Sequence, residues 1–433
     1  MKAVYALALF LLFTASISCR TDKNIKLSAS YLHAWNEALQ AGVMNDFFSP
    51  PVAARMNAYP NLMAYLVLHQ GEKSSLATQI KNGPQLPALK SKEIDLVALY
   101  AFYFVAKKMV YSYQMLDTYL TQFDTELTKE GFTEGQLSEA KKEAEEMAKT
   151  FLAWIALDNY KKSRSDTKYT LRTEAGSWKP TSPDYFDALE PNWETIRTFY
   201  LDSSAQFTYR YQPHPFNMTD KNSAFYKEVM EVMNQVDRTD SSELNIAKFW
   251  DCSPIEPRHK SHSTFADKKL TPGGHWLSIG RTLSKFKKED LLAASYMYAL
   301  LSTSIHDGFV ACWDAKYYYN YIRPSTAIQD NINSKWYSLI LTPNFPEYPS
   351  GHSVISGVAS TVLASIYGAN LAYQDKSEEP FGMAARSFPS VDSACKEAAM
   401  SRFYAGIHFR KAIEDGQLMG KDIGHFILNK AQQ

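Results

Sequence analysis

"TEGQLSEAKKEAEEMAKTFLAWIALDNY", Thr133 to Tyr160, carries Leu137, Ala140, Ala144, Met147, Phe151 and Ile155 at steps of three and four residues. Such steps return to one side of an α-helix, so the stretch predicts an amphipathic helix with an apolar stripe; its acidic residues come early, as the helix dipole favours. Upstream, "SKEIDLVALYAFYFVAKKMVYSYQMLDTYLTQF", from Ser91 to Phe123, reads as a second long helix, with an interruption left open. Nowhere do alternating apolar and polar runs sit between hairpin signals, as an all-β chain requires. The expected fold class is all-α, a helical bundle.

The polar run "KKSRSDTKY" and the proline-punctuated "GSWKPTSPDYFDALEPNW" make the clearest break in the sequence. They suggest an N-terminal helical region over 20–175 and a second helical domain over 176–433. Another turn-rich stretch, "WDCSPIEPRHKSHSTFADKKLTPGGHW", precedes a return to helical patterning, and no internal repeat is present.

With 433 residues, 45% hydrophobic, the chain is long enough to bury a large core. Lysine plus arginine equals aspartate plus glutamate at 46 each, so no global field draws the chain to nucleic acid, and any anion site must be local. "LVALYAFYFVA" and "LLAASYMYALLSTSI" are too short to span a bilayer and read as core helices. Residues 1–18 have the form of a secretory signal. "SISC" resembles a lipoprotein lipobox, which would lipidate Cys19, export the protein to the periplasm or outer membrane of a bacterium, and limit membrane contact to that anchor. Cys252, Cys312 and Cys395 remain, too few for a disulfide framework.

Three blocks carry the chemistry. In "WDAKYYYNYIRPS", Lys316 and Arg323 are seven residues apart, nearly two helical turns, which would set both cations on one helix face; Pro324 places the arginine near a helix end. In "PEYPSGHSVISG", Ser350, Gly351 and His352 offer a hydroxyl, an approachable backbone N–H and an imidazole at the expected start of a helix, although Ser350 alone could simply be an N-cap. "SRFYAGIHFRK" adds Ser401, Arg402 and His408. Individually each block has an ordinary structural reading. Together they describe one object: a lysine, two arginines, a serine hydroxyl and a glycine N–H to hold a tetrahedral oxyanion, with two histidines to work on it.

The spacing resembles the signature of the superfamily that joins vanadium-dependent haloperoxidases with type 2 phosphatidic acid phosphatases. All ten signature positions match, and "NIAKFW", "TPGGHW" and "ACWDAKYYYNYIRP" resemble its bacterial haloperoxidase-like branch, so the likeness runs from Asn192 to Gly424. The resemblance implies a site in the core of the C-terminal helical bundle. Lys316, Arg323, Ser350, Gly351 and Arg402 would form the oxyanion cradle. His408 would be the axial ligand of a vanadate cofactor, or the nucleophile of a phosphatase. His352 would be the general acid–base.

Where the family often has aspartate four residues after the last histidine, this chain has Ala412; Asp415, seven residues on, is the candidate replacement to orient the His408 ring. Trp313 and Phe345 match positions that wall the site in chloride-oxidising relatives. The implied reaction is halide oxidation by hydrogen peroxide. The alternatives are phosphomonoester hydrolysis through a phosphohistidine, and a non-catalytic lipoprotein that binds an oxyanion. Of the other histidines, His259 and His262 read as polar loop residues, the His306-Asp307 pair as core hydrogen bonding, and His275 is open.

Overall fold

The computed structural model describes residues 25–72, 76–252, 256–260 and 263–431, with backbone only for the strands between 256 and 267. The leader, Cys19 and His262 lie outside the described residues, and nothing is described of the His259 side chain. Among the described residues seven helices come first: α1 (Ala29–Asn45), α2 (Pro50–Leu68), α3 (Leu76–Gln79), α4 (Ile94–Met109), α5 (Gln114–Glu130), α6 (Glu134–Ile155) and α7 (Tyr160–Ser165). After an irregular stretch with two 3₁₀ turns come α8 (Ala224–Arg238), α9 (Ser241–Phe249), the hairpin β1 (Glu256–Lys260) and β2 (Ser263–Asp267), α10 (Pro272–Lys287) and α11 (Leu291–Tyr319). The chain ends with α12 (Pro324–Asn331), α13 (Gly351–Tyr367), the hairpin β3 (Tyr373–Asp375) and β4 (Arg386–Phe388), α14 (Val391–Tyr404) and α15 (Arg410–Ala431). The fold is mainly helical, as expected.

Helix α6 buries Leu137, Ala140, Ala144, Met147, Phe151 and Ile155, the stripe read from the sequence, and starts with a capping box between Thr133 and Gln136. The stretch 91–123 is interrupted. Asp46 accepts the backbone N–H groups of Tyr111 (2.6 Å) and Ser112 (3.0 Å), which stops α4 and starts the chain afresh into α5. Helix α11 is buried on almost every face and packs against α1, α2, α10, α13 and α15. One hydrophobic core runs from Leu27 to Leu428 and includes helices on both sides of residue 175. Among the described residues, no helix is long and apolar enough to cross a membrane.

Two features of this packing position the site. First, α11 ends at Asn320 in the left-handed region (φ 48°), and Tyr321 and Ile322 run extended against Gly176–Trp178, with Trp178 N–H donating to Asn320 O (2.8 Å) and Ile322 N–H to Gly176 O (2.9 Å). Second, α13 and α15 cross almost backbone to backbone. A Cβ on Gly420 would overlap Val354 O, one on Gly357 would stand 2.8 Å from Gln417 O, and one on Gly416 2.9 Å from Ser353 Cβ. Glycine at these positions lets the start of α13 lie directly over the first turns of α15.

Candidate active site

Each site residue sits at or beside a helix end. Lys316 is in the last turn of α11, Arg323 is the N-cap of α12, Ser350 caps α13 and is followed by Gly351 and His352, Arg402 is in the last turn of α14, and His408 lies in the turn before α15. Lys316 and Arg323 do converge, but not along one helix face: α11 stops at Tyr319, and the paired segment 320–322 delivers Arg323 from the next element. The reading of Ser350 as a cap also holds, since its Oγ accepts from Ser353 N (3.4 Å).

All seven residues except Gly351 and His352 are buried to within 2% exposure, so their charges are almost wholly removed from water. Arg323 donates from Nε to Phe345 O (3.0 Å) and from Nη1 to Ile407 O (3.0 Å), and Nη1 lies 3.3 Å from His408 Nε2. Lys316 places Nζ on three carbonyls, those of Pro346 (2.9 Å), Glu347 (3.0 Å) and Pro349 (2.5 Å). It therefore clamps the loop that leads into Ser350 while bringing its charge to the site. Arg402 donates to Ser401 Oγ (3.0 Å) and Ala247 O (2.9 Å), with Asp251 3.7 Å away. Burial lowers the basicity of all three cations, taking Lys316 to about 7 and Arg323 to about 10.

The expected role of Asp415 is not what the structure shows. His408 precedes α15 instead of lying on it, so a residue seven positions on shares no helix face with it. Asp415 instead accepts from Tyr348 Oη (2.7 Å) and pairs with Lys411 (2.9 Å). The partner of His408 Nδ1 is Glu347 Oε1, at 2.7 Å. The same oxygen accepts from the backbone N–H of Phe409 (2.9 Å), which fixes it as an acceptor. Arg323 can only donate, so Nε2 turns its lone pair to Nη1 and the neutral ring carries its proton on Nδ1, toward Glu347. Sequence reasoning misses Glu347 because no periodicity links it to His408; its only signal is an acid inside the proline-rich run before Ser350. Ala412, at the position where the family often has its acid, contributes through its backbone: its carbonyl accepts from Ser350 N (3.0 Å).

The carbonyl of Trp250 faces His352, whose Nε2 is buried with no hydrogen-bond partner. Burial, then Arg402, holds its pKa well below the usual histidine value; burial, then Arg323 and Lys316, does the same for His408. Burial also pushes Glu347 up to about 8, against the pull of the two cations.

Phe345 lies with its ring 5.0 Å from Lys316 Nζ, from Arg323 Cζ and from the Trp313 ring, so the two aromatics do form one wall. A cavity of about 560 Å³ runs from exposed Tyr111 and Phe186, past this wall, to Gly351, His352, Arg402 and His408. His306 and Asp307 lie elsewhere in the core: Asp307 accepts the backbone N–H groups of Phe199, Tyr200 and Leu201. Cys252, Cys312 and Cys395 are free and buried.

The donor set suits a tetrahedral oxyanion. It combines three desolvated cations, the start of a helix, an unpartnered imidazole nitrogen and a glycine whose added Cβ would fill the space 3.7 Å from both Lys316 Cε and Trp313 Cζ3.

The family model for the second helical-bundle domain of vanadium chloroperoxidase matches residues 296–433. Comparison with curated proteins finds no match. Among solved structures, a bacterial vanadium-dependent iodoperoxidase is 36% identical, with a TM-score of 0.86 over 94% of this chain and 97% of that one. Two bacterial vanadium-dependent chloroperoxidase structures share the fold. The holo form is 15% identical with a TM-score of 0.68 over 95% of this chain and 99% of its own, and the apo form 16% identical with 0.64 over 89% and 95%. On the strength of the near-complete alignment with the iodoperoxidase, the chain belongs to the vanadium-dependent haloperoxidase family and is an enzyme of that superfamily.

Proposed function

We propose that the protein is a vanadate-dependent haloperoxidase that oxidises halide, iodide first among them, with hydrogen peroxide. The observation that carries this reading is the pair of differently held histidines: His408 has Nδ1 fixed on Glu347 and Nε2 turned inward, and His352 presents an unpartnered Nε2. Vanadate, when bound, supplies a Lewis-acid centre at which peroxide becomes an oxygen donor to halide. His408 Nε2 is the nitrogen that would ligate it. Arg323 and Arg402 would hold its oxygens by charge-assisted hydrogen bonds, with the Ser350 hydroxyl and the Gly351 N–H at the helix start. Lys316 would add its charge while it keeps the 346–349 loop in place.

His352 Nε2 would take a proton from incoming peroxide and return it to the departing oxygen; a depressed pKa leaves it neutral and ready to accept. Trp313 and Phe345 would exclude water beside the site, which favours a weakly hydrated halide such as iodide. The iodoperoxidase relative supports the same preference. The non-catalytic oxyanion binder rests on the absence of an acid for the last histidine, and Glu347 removes that support.

The test is a paired assay on the purified protein: oxidation of iodide and bromide by peroxide with and without added orthovanadate, and hydrolysis of a chromogenic phosphate monoester without it. Vanadate that switches on iodide oxidation is the expected result. Bound vanadate with no oxidation of either halide from acidic to neutral pH would overturn the reading, and vanadate that only inhibits phosphate release would replace it with the phosphatase.

A further inference from the structure

In the cavity wall beside His352, with Cys252 lining the cavity itself, lies a group of side chains for which the proposed oxidation has no use. His275, in the first turn of α10, is completely buried, with its ring stacked on Trp250 at 4.5 Å and 16°. Its Nε2 lies 2.8 Å from Asp375 Oδ2 and 2.8 Å from Ser377 Oγ. Its Nδ1 lies 3.4 Å from Cys252 Sγ and 3.2 Å from Glu378 Oε1, and these three atoms are all within 4.8 Å of one another. All four partner groups are buried or nearly so; with His275 at the start of α10, they come from just after α9 (Cys252) and from the β3 hairpin (Asp375, Ser377 and Glu378).

A single imidazole N–H can serve one acceptor well, yet Nδ1 faces a sulfur and a carboxylate oxygen together. The separations have a simpler explanation. Zinc bonds of about 2.3 Å to sulfur and about 2.1 Å to nitrogen or oxygen, at tetrahedral angles, put sulfur and nitrogen about 3.6 Å apart and nitrogen and oxygen about 3.4 Å apart. The observed 3.4 and 3.2 Å are the edges of that polyhedron to within 0.2 Å. The far nitrogen is tied to a carboxylate, the arrangement that orients metal-bound imidazoles. Two buried carboxylates around one imidazole also leave a negative excess that a dication would offset.

We propose that Cys252 Sγ, His275 Nδ1 and Glu378 Oε1 bind a zinc ion, with Asp375 positioning the imidazole. Thiolate with imidazole selects zinc over magnesium or calcium, and the carboxylate argues against cuprous copper. Binding transfers the Cys252 thiol proton and the proton on His275 Nδ1 to solvent, so uptake strengthens as pH rises, and no redox step is involved. The ion would fasten residues 250–252 to α10 and the β3 hairpin. That short segment is where the Trp250 carbonyl faces His352 and Asp251 stands 3.7 Å from Arg402, so the zinc would brace the wall of the oxyanion cavity that Cys252 also lines.

Metal content of the purified chain, handled without vanadate, gives the test. After exposure to micromolar zinc and removal of excess, one equivalent should remain, and cobalt substitution should produce thiolate-to-cobalt charge-transfer absorption in the near ultraviolet. Cys252→Ser and Glu378→Gln should each weaken zinc binding at least about tenfold, while Cys312→Ser should retain it. A folded wild-type chain that takes up no zinc overturns the proposal, as does zinc held unchanged by Cys252→Ser. Should the serine variant not fold, the cobalt spectrum of the wild type decides: a bound cobalt ion without the thiolate band refutes the site.

Discussion

Replacing Glu347 with glutamine interrogates the group that aims His408. In the wild type, Oε1 accepts from both His408 Nδ1 (2.7 Å) and Phe409 N (2.9 Å), while Oε2 is buried with no hydrogen-bond partner. Because the Phe409 N–H can only donate, the glutamine must keep its carbonyl oxygen at the Oε1 position. Its NH₂ then takes the buried Oε2 position, which has no hydrogen-bond partner in the wild type; an unsatisfied amide there costs about 1–3 kcal/mol in stability. Exchanging an ionisable acceptor for a neutral one weakens the hold on His408 by a further ~1–2 kcal/mol, about 5- to 30-fold in oxyanion affinity. The deficit should depend on pH. Burial pushes Glu347 up to about 8, so at pH 6.5 the carboxyl is mostly protonated and resembles the amide. At pH 8.5 it is mostly charged and the wild type should lead by more. Calorimetric titration with orthovanadate at both pH values reads this directly. Asp415→Asn serves as the control and should leave affinity unchanged, since Asp415 holds Tyr348 and Lys411 instead. A glutamine variant within twofold of wild type at both pH values, beside a weakened Asp415→Asn, would refute the assignment.

Further outcomes follow from the same geometry. Gly420→Ala drives a Cβ into Val354 O, so α13 and α15 must separate; urea unfolding should show a loss of about 3 kcal/mol, and an unchanged midpoint would mean the crossing is looser than described. Oxyanion affinity should fall as pH rises through about 7, by up to about tenfold per unit, because burial sets Lys316 to lose its proton there and a neutral lysine no longer attracts an anion. Lys316→Met should flatten that profile, and equal slopes in both proteins would count against it. His352→Ala should keep oxyanion binding while halide turnover drops by about 10²- to 10⁴-fold, as removal of a general acid–base does; equal losses in both would make it a binding residue. We also propose export with a lipid on Cys19, so Cys19→Ala should move the protein from the membrane fraction to the soluble one.

What the sequence makes legible, and what it hides, divides along a physical line. The α6 stripe and the three oxyanion blocks are readable because both are written in local spacing: side chains three or four apart share a helix face, and short blocks keep their residue types adjacent. The Lys316–Arg323 geometry departs from expectation because helical periodicity does not extend past Tyr319. Only the distant Gly176–Trp178 segment, by pairing with residues 320–322, shows that the helix stops. Asp415 fails by the same logic, which counts along a helix that starts after His408 instead of before it. Glu347 reaches His408 from 61 residues away in the chain, across the α13–α15 crossing, and no local rule joins them.

That crossing also explains why the electrostatics of the site point one way. Packing α13 against α15 without side chains at Gly357, Gly416 and Gly420 sets Ser350 beside the turn that carries His408, where Lys316 and Arg323 also converge in the buried core. Lys316, Arg323, Arg402, His352 and His408 all have their pKa values lowered by burial. Glu347, the acid beside His408, is raised despite two adjacent cations. A salt-bridged core would show the opposite, with acids lowered by their partners as Asp375 is lowered beside His275. A cluster in which every base resists its proton holds more buried positive groups than its own acids, Glu347 and Asp251, offset, and so favours an added negative charge. An added oxyanion would raise each of those basic groups at once. The resulting proton uptake, measurable as a buffer-dependent heat on vanadate titration, should therefore be positive near neutral pH; proton release there would mean that the cations meet their counter-charge within the protein.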